Sequence, residues 1–128
     1  EFGWIDWKGD RHVNGNYPMA NRNPDLEYVF NSGSFRRSFA VECKFRSYLP
    51  SHGMPFIEER QLQNYRAFQT QRRIKVYIIL GLGGRPEAPD HLYLFALDEI
   101  AQATANLNNY RKPVDAPFHY DITSERLT

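Results

Sequence analysis

The side chains with the clearest chemical potential are two carboxylates and an ammonium in the first half of the chain: Asp25, Glu42 and Lys44. Glu42 and Lys44 are two positions apart in a segment that alternates like a strand, so both leave the same face. Asp25 begins the preceding strand, and a tight hairpin can bring its carboxylate beside Glu42. Two converging carboxylates make a hard-oxygen site for Mg²⁺ or Mn²⁺. An ammonium beside such a metal can orient or deprotonate a water, or stabilise charge developing on phosphorus.

The plainer interpretation of the same residues is a cross-strand ion pair on a solvent-facing sheet, in which Lys44 only neutralises Glu42. Charged pairs of this kind are common on protein surfaces, and a Glu-x-Lys pattern alone does not exclude one. The elements that position the three residues therefore decide between the two interpretations.

The strand that carries Glu42 has a clean alternation: Phe39, Val41, Cys43 and Phe45 face one way, and the residues between them the other. A helix follows, and one of its faces is apolar apart from a single glutamine: Ile57, Gln61, Leu62, Tyr65 and Phe68. Along the whole chain, the patterns predict strands at 2–8, 25–30, 35–46, 74–80, 91–97 and 118–122. They predict one helix from 56 or 57 to 71 and a second from an Asp98 N-cap to 108–109. The glycines and prolines at 81–89 predict a loop. This order predicts one domain over 1–128, an α/β sandwich around a mixed sheet with a parallel crossover.

Taken in order, these motifs resemble a known signature. Pro24-Asp25, a hairpin and then Val41-Glu42-Cys43-Lys44 resemble the PD-(D/E)XK nuclease pattern. Gln61 and Tyr65 on the next helix are similar to the Gln-x-x-x-Tyr motif of the RecB-like and Holliday-junction-resolvase-like branch. The resemblance covers roughly residues 2–80 and implies a restriction-endonuclease-like core, a mixed central β-sheet flanked by helices.

The resemblance also implies an activity and a role for each residue: a nuclease that uses Mg²⁺ or Mn²⁺ to hydrolyse DNA. Asp25 and Glu42 would be metal ligands, with the backbone carbonyl of Cys43 as a candidate third. Lys44 would be catalytic, and Gln61 would lie against the active site from the helix. Tyr65 would support the site one turn further along.

One feature departs from the family pattern. Members usually have a helix before the first strand, with a glutamate near the metal, whereas this sequence starts almost at that strand. The helix is therefore expected to be missing or supplied by a partner subunit. Both a homodimer and a place within a larger multidomain protein are compatible with this expectation.

The charge distribution also favours a polyanionic partner. The net charge is only +1, but residues 36–75 carry nine basic and three acidic side chains. The arginines expected to contact DNA phosphates are Arg36, Arg37, Arg46, Arg60, Arg66, Arg72 and Arg73. The single cysteine excludes a disulfide framework, and the lack of an apolar run long enough for a bilayer argues against a membrane protein. A cytoplasmic location is expected.

Two other functional classes stay open at this point. The same fold could serve as a non-catalytic module that binds DNA or protein inside a replication, repair or mobile-element protein. A purely structural α/β domain would bind neither metal nor DNA. Metal-stimulated cleavage of DNA separates the first class from the nuclease.

Overall fold

A computed structural model describes residues 4–5, 24–32, 35–48 and 57–128 of the chain. Its strands are β1 (Trp4–Ile5), β2 (Leu26–Ser32), β3 (Phe35–Arg46), β4 (Lys75–Arg85), β5 (Ala88–Ala96), β6 (Arg111–Lys112), β7 (Phe118–Asp121) and β8 (Arg126–Leu127). The α-helices are α1 (Glu59–Arg72) and α2 (Ile100–Ala105), and short 3₁₀ turns span Leu97–Glu99 and Leu107–Tyr110.

The central sheet has five strands in the order β2-β3-β4-β5-β6. β2 and β3 form an antiparallel hairpin whose last described pair is Ser32 with Phe35. The chain then crosses through α1 into β4, which pairs parallel to β3. The predicted hairpin and parallel crossover are therefore confirmed.

Each face of the central sheet is covered by a different layer. One face packs against both helices through a core that includes Tyr65 and Phe68 of α1 and Ile100 of α2. The other face packs against the small antiparallel sheet β1-β7-β8, with Phe118 and Tyr120 as its main aromatic contacts. The α/β class with a mixed central sheet and flanking helices is thus confirmed, and the order of elements is consistent with a restriction-endonuclease-like core.

The segment 81–89, which the glycines predicted to be a loop, is instead the far part of a β-hairpin. β4 continues to Arg85 and β5 begins at Ala88, joined at Pro86 and Glu87. Gly83 and Gly84 have φ of 73° and 69°, and a Cβ on Gly84 would lie 2.7 Å from the Ala88 carbonyl oxygen. Glycine is needed because the two backbones approach closely there, not because the chain is unstructured.

The second predicted helix is shorter than expected and begins differently. Asp98 lies within a 3₁₀ turn and accepts a hydrogen bond from the Gln69 side chain at 3.0 Å, so its assignment as N-cap is wrong. The Glu99 carboxylate accepts the N–H of Ala96 at 2.9 Å instead. α2 then ends at Ala105 rather than at 108–109.

Two further predictions fall near the first strand. Of the predicted strand 2–8, the structure describes only β1, which pairs with β7. The sequence also predicted that no helix precedes this strand. The residues before Trp4 lie outside the described part of the chain, so this stays a prediction. No helix in the described ranges is long and apolar enough to cross a membrane.

Candidate active site

The hairpin register brings Asp25 next to Glu42. Leu26 pairs with Val41, so Asp25, one residue before β2, lies opposite Glu42. The Glu42 Oε1 atom accepts the backbone N–H of Asp25 at 3.2 Å. In return, the Asp25 Oδ2 atom accepts the backbone N–H of Cys43 at 3.0 Å. Reciprocal hydrogen bonds thus hold the two carboxylates together at the point where β2 begins.

Lys44 completes the cluster from the same face of β3. Its Nζ atom lies 3.2 Å from Oε2 of Glu42. Glu42 is 3% exposed and Lys44 is 5% exposed, because α1 covers this face of the sheet. The interpretation as a solvent-facing ion pair is therefore wrong: the pair is buried.

Burial of an ion pair is costly unless further polar groups support it. Here α1 provides such a group, since the Tyr65 side chain hydrogen-bonds to Glu42. The Lys44 ammonium also lies 5.9 Å from the centroid of the Tyr65 ring. Tyr65 itself is 1% exposed, so the helix fixes its ring against the carboxylate and the ammonium at once.

The surroundings raise the pKa of the Glu42 carboxyl from 4.5 to about 7. The largest cause is burial, which disfavours the charged form, and the second is the negative charge of Asp25. The Lys44 ammonium and the Tyr65 hydrogen bond act in the opposite direction and only partly offset them. When Glu42 is ionised, the two carboxylates of the cluster therefore carry more charge than its single ammonium neutralises.

The donor set of the cluster fits a small divalent cation. Within the described ranges, no group of three or more histidine, cysteine, aspartate or glutamate side chains is arranged to hold a metal, so Asp25 and Glu42 would need oxygen ligands of other kinds beside them. Mg²⁺ is commonly held by one or two carboxylates, with waters and substrate phosphate completing its octahedron. In a strand, the N–H and C=O of one residue point to the same side. The Cys43 carbonyl therefore faces the side on which Asp25 binds the Cys43 N–H.

The other predicted active-site residue, Gln61, lies half-buried on α1 one turn before Tyr65. Among the described residues its side chain makes no hydrogen bond, so its predicted role at the site stays a prediction. Sequence reasoning missed Gln69, two turns further on. Its Oε1 atom accepts the N–H of Val76 at 3.0 Å, which ties α1 to the start of β4.

The seven predicted DNA-contacting arginines do not converge on one place. Arg36 and Arg37 lie near the start of β3, about 17–20 Å along the strand from Glu42 at ~3.3 Å per residue. Arg37 pairs with Glu125 at 3.3 Å. Arg72 is bound to Glu27 at 2.8 Å.

The remaining four arginines lie along β3 and α1. Arg73 forms the C-cap of α1. Arg46 follows Lys44 by two residues, so it shares that face of β3, and it donates a hydrogen bond to the Phe45 carbonyl. Arg60 and Arg66 are exposed on α1. Arg46 is therefore the member nearest in the chain to the carboxylate cluster, and Arg60 and Arg66 lie exposed on the helix that covers it.

Comparison with known proteins adds one weak similarity. No protein-family description and no curated protein matches the chain. Among solved structures, it is similar to Hjc, a Holliday junction resolvase from Archaeoglobus fulgidus, at 17% identity and a TM-score of 0.42. The match covers 97% of this chain and 78% of the resolvase. Because such a score does not establish a common fold, the functional assignment depends on the geometry of the residues described above.

Proposed function

We propose that this chain is one PD-(D/E)XK-like nuclease domain that hydrolyses DNA phosphodiester bonds with Mg²⁺ or Mn²⁺. The observation that carries the proposal is the convergence of Asp25 with the buried pair Glu42 and Lys44 at the start of the β2–β3 hairpin. Carboxylates with a pKa raised by burial and by a second carboxylate cluster at functional sites, which supports the proposal beside the geometry.

Asp25 and Glu42 would hold the metal, with the Cys43 carbonyl as a third oxygen. A bound divalent cation supplies Lewis-acid polarisation of the phosphate and a more acidic water. Glu42 must be ionised to serve as a ligand, and the metal charge would favour that state. Asp25 keeps its orientation because the Cys43 N–H fixes one of its oxygens.

Lys44 would act on the reacting phosphate rather than on the bound strand as a whole. Its ammonium lies at the carboxylate cluster, where it can orient the attacking water or stabilise negative charge that develops on phosphorus. Tyr65 would position the Glu42 carboxylate through its hydrogen bond. Such preorganised groups lower the barrier because they do not have to reorganise during the reaction.

The test is cleavage of labelled single-stranded and junction DNA by wild type and by Lys44→Ala, with DNA binding measured in Ca²⁺. Removing one preorganised stabiliser should lower the cleavage rate by about 10²–10³-fold. DNA affinity should change little, since many cations share the attraction to phosphates. Lys75→Ala is the matched control, because Lys75 is an exposed lysine at the start of the neighbouring strand.

Each result separates the alternatives. A Lys44→Ala protein that cuts as fast as wild type would remove Lys44 from the mechanism. Wild-type protein that binds DNA but cuts none with any divalent metal would favour the non-catalytic DNA-binding module. Absence of both binding and cleavage would leave the structural domain.

A further inference from the structure

A second concave site lies at the edge of β5, on the far side of β4 from the carboxylate cluster. β6 pairs only with Leu92 and Tyr93, so among the described strands nothing pairs with this edge of β5 from Leu94 to Ala96. The gap forms a groove of about 340 Å³ between the second 3₁₀ turn and β8. At ~4.8 Å per strand, β5 lies about 10 Å across the sheet from β3, the strand that carries Glu42.

Three cationic side chains line this edge groove: Arg111, Lys112 and Arg126. The Arg111 guanidinium lies 3.0 Å from Nδ1 of His91, and arginine can only donate, so the imidazole is the acceptor. Arg126 lies 3.6 Å from the Glu99 carboxylate. Within the described part of the chain, no carboxylate lies within ion-pair distance of Arg111 or Lys112. Among the side chains that line it, the groove therefore has an excess of positive charge.

Lys112 is a partly buried cation with no carboxylate within ion-pair distance among the described residues. It is half-buried, and its ammonium lies over the Phe118 ring, 5.0 Å from the centroid. Burial lowers the pKa of the Lys112 ammonium, which means that its charged form has lost part of its hydration. A partly desolvated charge is stabilised when an anion with hydrogen-bond acceptors takes the place of the lost water.

The groove also offers contacts for a flat ring. Tyr110 lines it and is half-buried, held edge-on by Phe95 with 5.9 Å between centroids. An aromatic ring fixed in this way can stack on a base, and the neighbouring Asn109 amide can donate and accept hydrogen bonds. The volume falls in the range of small-molecule sites, about 300–1,000 Å³.

We propose that the edge groove binds the phosphate group of a nucleotide, either free or within a nucleic-acid strand, through Lys112 and Arg126. Phosphate suits the site because its oxygens accept several charge-assisted hydrogen bonds from different cations at once. The edge groove shares no residue with Asp25, Glu42 and Lys44, so this site and the proposed nuclease activity can fail separately.

The experiment titrates the ¹⁵N-labelled full chain, without divalent metal, with inorganic phosphate, with 5′-dAMP and with a single-stranded oligonucleotide. Saturable shifts are expected at the backbone amides of Lys112 and Leu127. Lys112→Gln should weaken phosphate binding about tenfold, the effect of losing one hydrogen bond to a charged group. Lys75→Gln removes the same charge from an exposed strand position outside the groove and should leave the affinity unchanged.

The three ligands distinguish the source of the phosphate. Tighter binding of the oligonucleotide than of 5′-dAMP, lost in Lys112→Gln, would assign the groove to a strand. Equal binding of 5′-dAMP and the oligonucleotide would assign it to a free nucleotide. Arg126→Gln is the second variant, in case Lys112→Gln perturbs folding. Phosphate that shifts none of these amides, or wild-type affinity in both variants, would overturn the proposal.

Discussion

The elevated pKa of Glu42 makes the stability of the protein depend on pH in an unusual direction. The perturbation is Glu42→Gln, compared with wild type between pH 4.5 and pH 8. In the folded protein the pKa of Glu42 is about 7, whereas its unperturbed value is 4.5. Between these values the folded state binds more protons than the unfolded chain. Stability from this group is therefore fully present below pH 4.5 and is lost as the pH rises through 7.

The size of the effect follows from the shift. A shift from 4.5 to about 7, at about 1.4 kcal/mol per pH unit, corresponds to ~3 kcal/mol. Since Glu42 is 3% exposed, solvent screening does not reduce this figure appreciably. Glutamine at position 42 cannot ionise, so the unfolding free energy of the Glu42→Gln protein should lack this pH-dependent contribution. Relative to Glu42→Gln, wild type should thus lose about 3 kcal/mol of unfolding free energy between pH 4.5 and pH 8.

Urea denaturation at several pH values measures the difference directly, because titrations of other groups cancel between the two proteins. Glu27→Gln provides the control, since Glu27 lies on the adjacent strand but is partly exposed and ion-paired with Arg72. A wild-type minus Glu42→Gln difference that stays constant within ~1 kcal/mol across this range would refute the reasoning. So would a difference that grows in favour of wild type as the pH rises.

Three further predictions concern the same site and its helix. The affinity for Mn²⁺ should fall about tenfold when the pH is lowered from 8 to 6, because the metal competes with the Glu42 proton. Calorimetry should detect proton release on Mn²⁺ binding, and a pH-independent affinity would contradict this prediction. Tyr65→Phe removes a hydrogen bond that favours the ionised carboxylate, so the pKa of Glu42 should rise further; carboxyl NMR titration would show it, and a lower pKa would count against the assigned contact. Arg73 has a φ of 54° at the C-cap of α1, so Arg73→Gly should raise the unfolding free energy by about 0.5–1 kcal/mol in urea; an unchanged or lower value would show that the left-handed conformation carries no strain.

The parts of the fold that follow from local periodicity were predicted from the sequence. The alternation of β3 and its tight hairpin to β2 gave the pairing that brings Asp25 beside Glu42. The burial of Glu42 and Lys44 was not predictable in the same way. A Glu-x-Lys pattern looks polar along the strand, and only the packing of α1 on this face shows that it is enclosed.

The errors come from residues whose effect depends on distant partners. Gly83 and Gly84 indicate a loop locally, but β5 approaches them closely enough to require glycine within a hairpin. Aspartate is a common N-cap residue, but the Asp98 carboxylate accepts a hydrogen bond from the Gln69 side chain of α1. Among the described strands, none pairs with the edge of β5 beyond Tyr93 because β6 is short, and no periodicity in that segment indicates this.

The measurement that tests the nuclease proposal most directly is the anomalous scattering of Mn²⁺ soaked into crystals of the protein. The proposal predicts an ion bound by the carboxylates of Asp25 and Glu42, at oxygen distances of about 2.0–2.6 Å. Asp25→Asn and Glu42→Gln crystals should each lose most of that occupancy, while Glu27→Gln crystals should keep it. Mn²⁺ bound only elsewhere, or no ion beside Asp25 and Glu42 at saturating concentration, would contradict the assignment of this cluster as the metal centre of a nuclease.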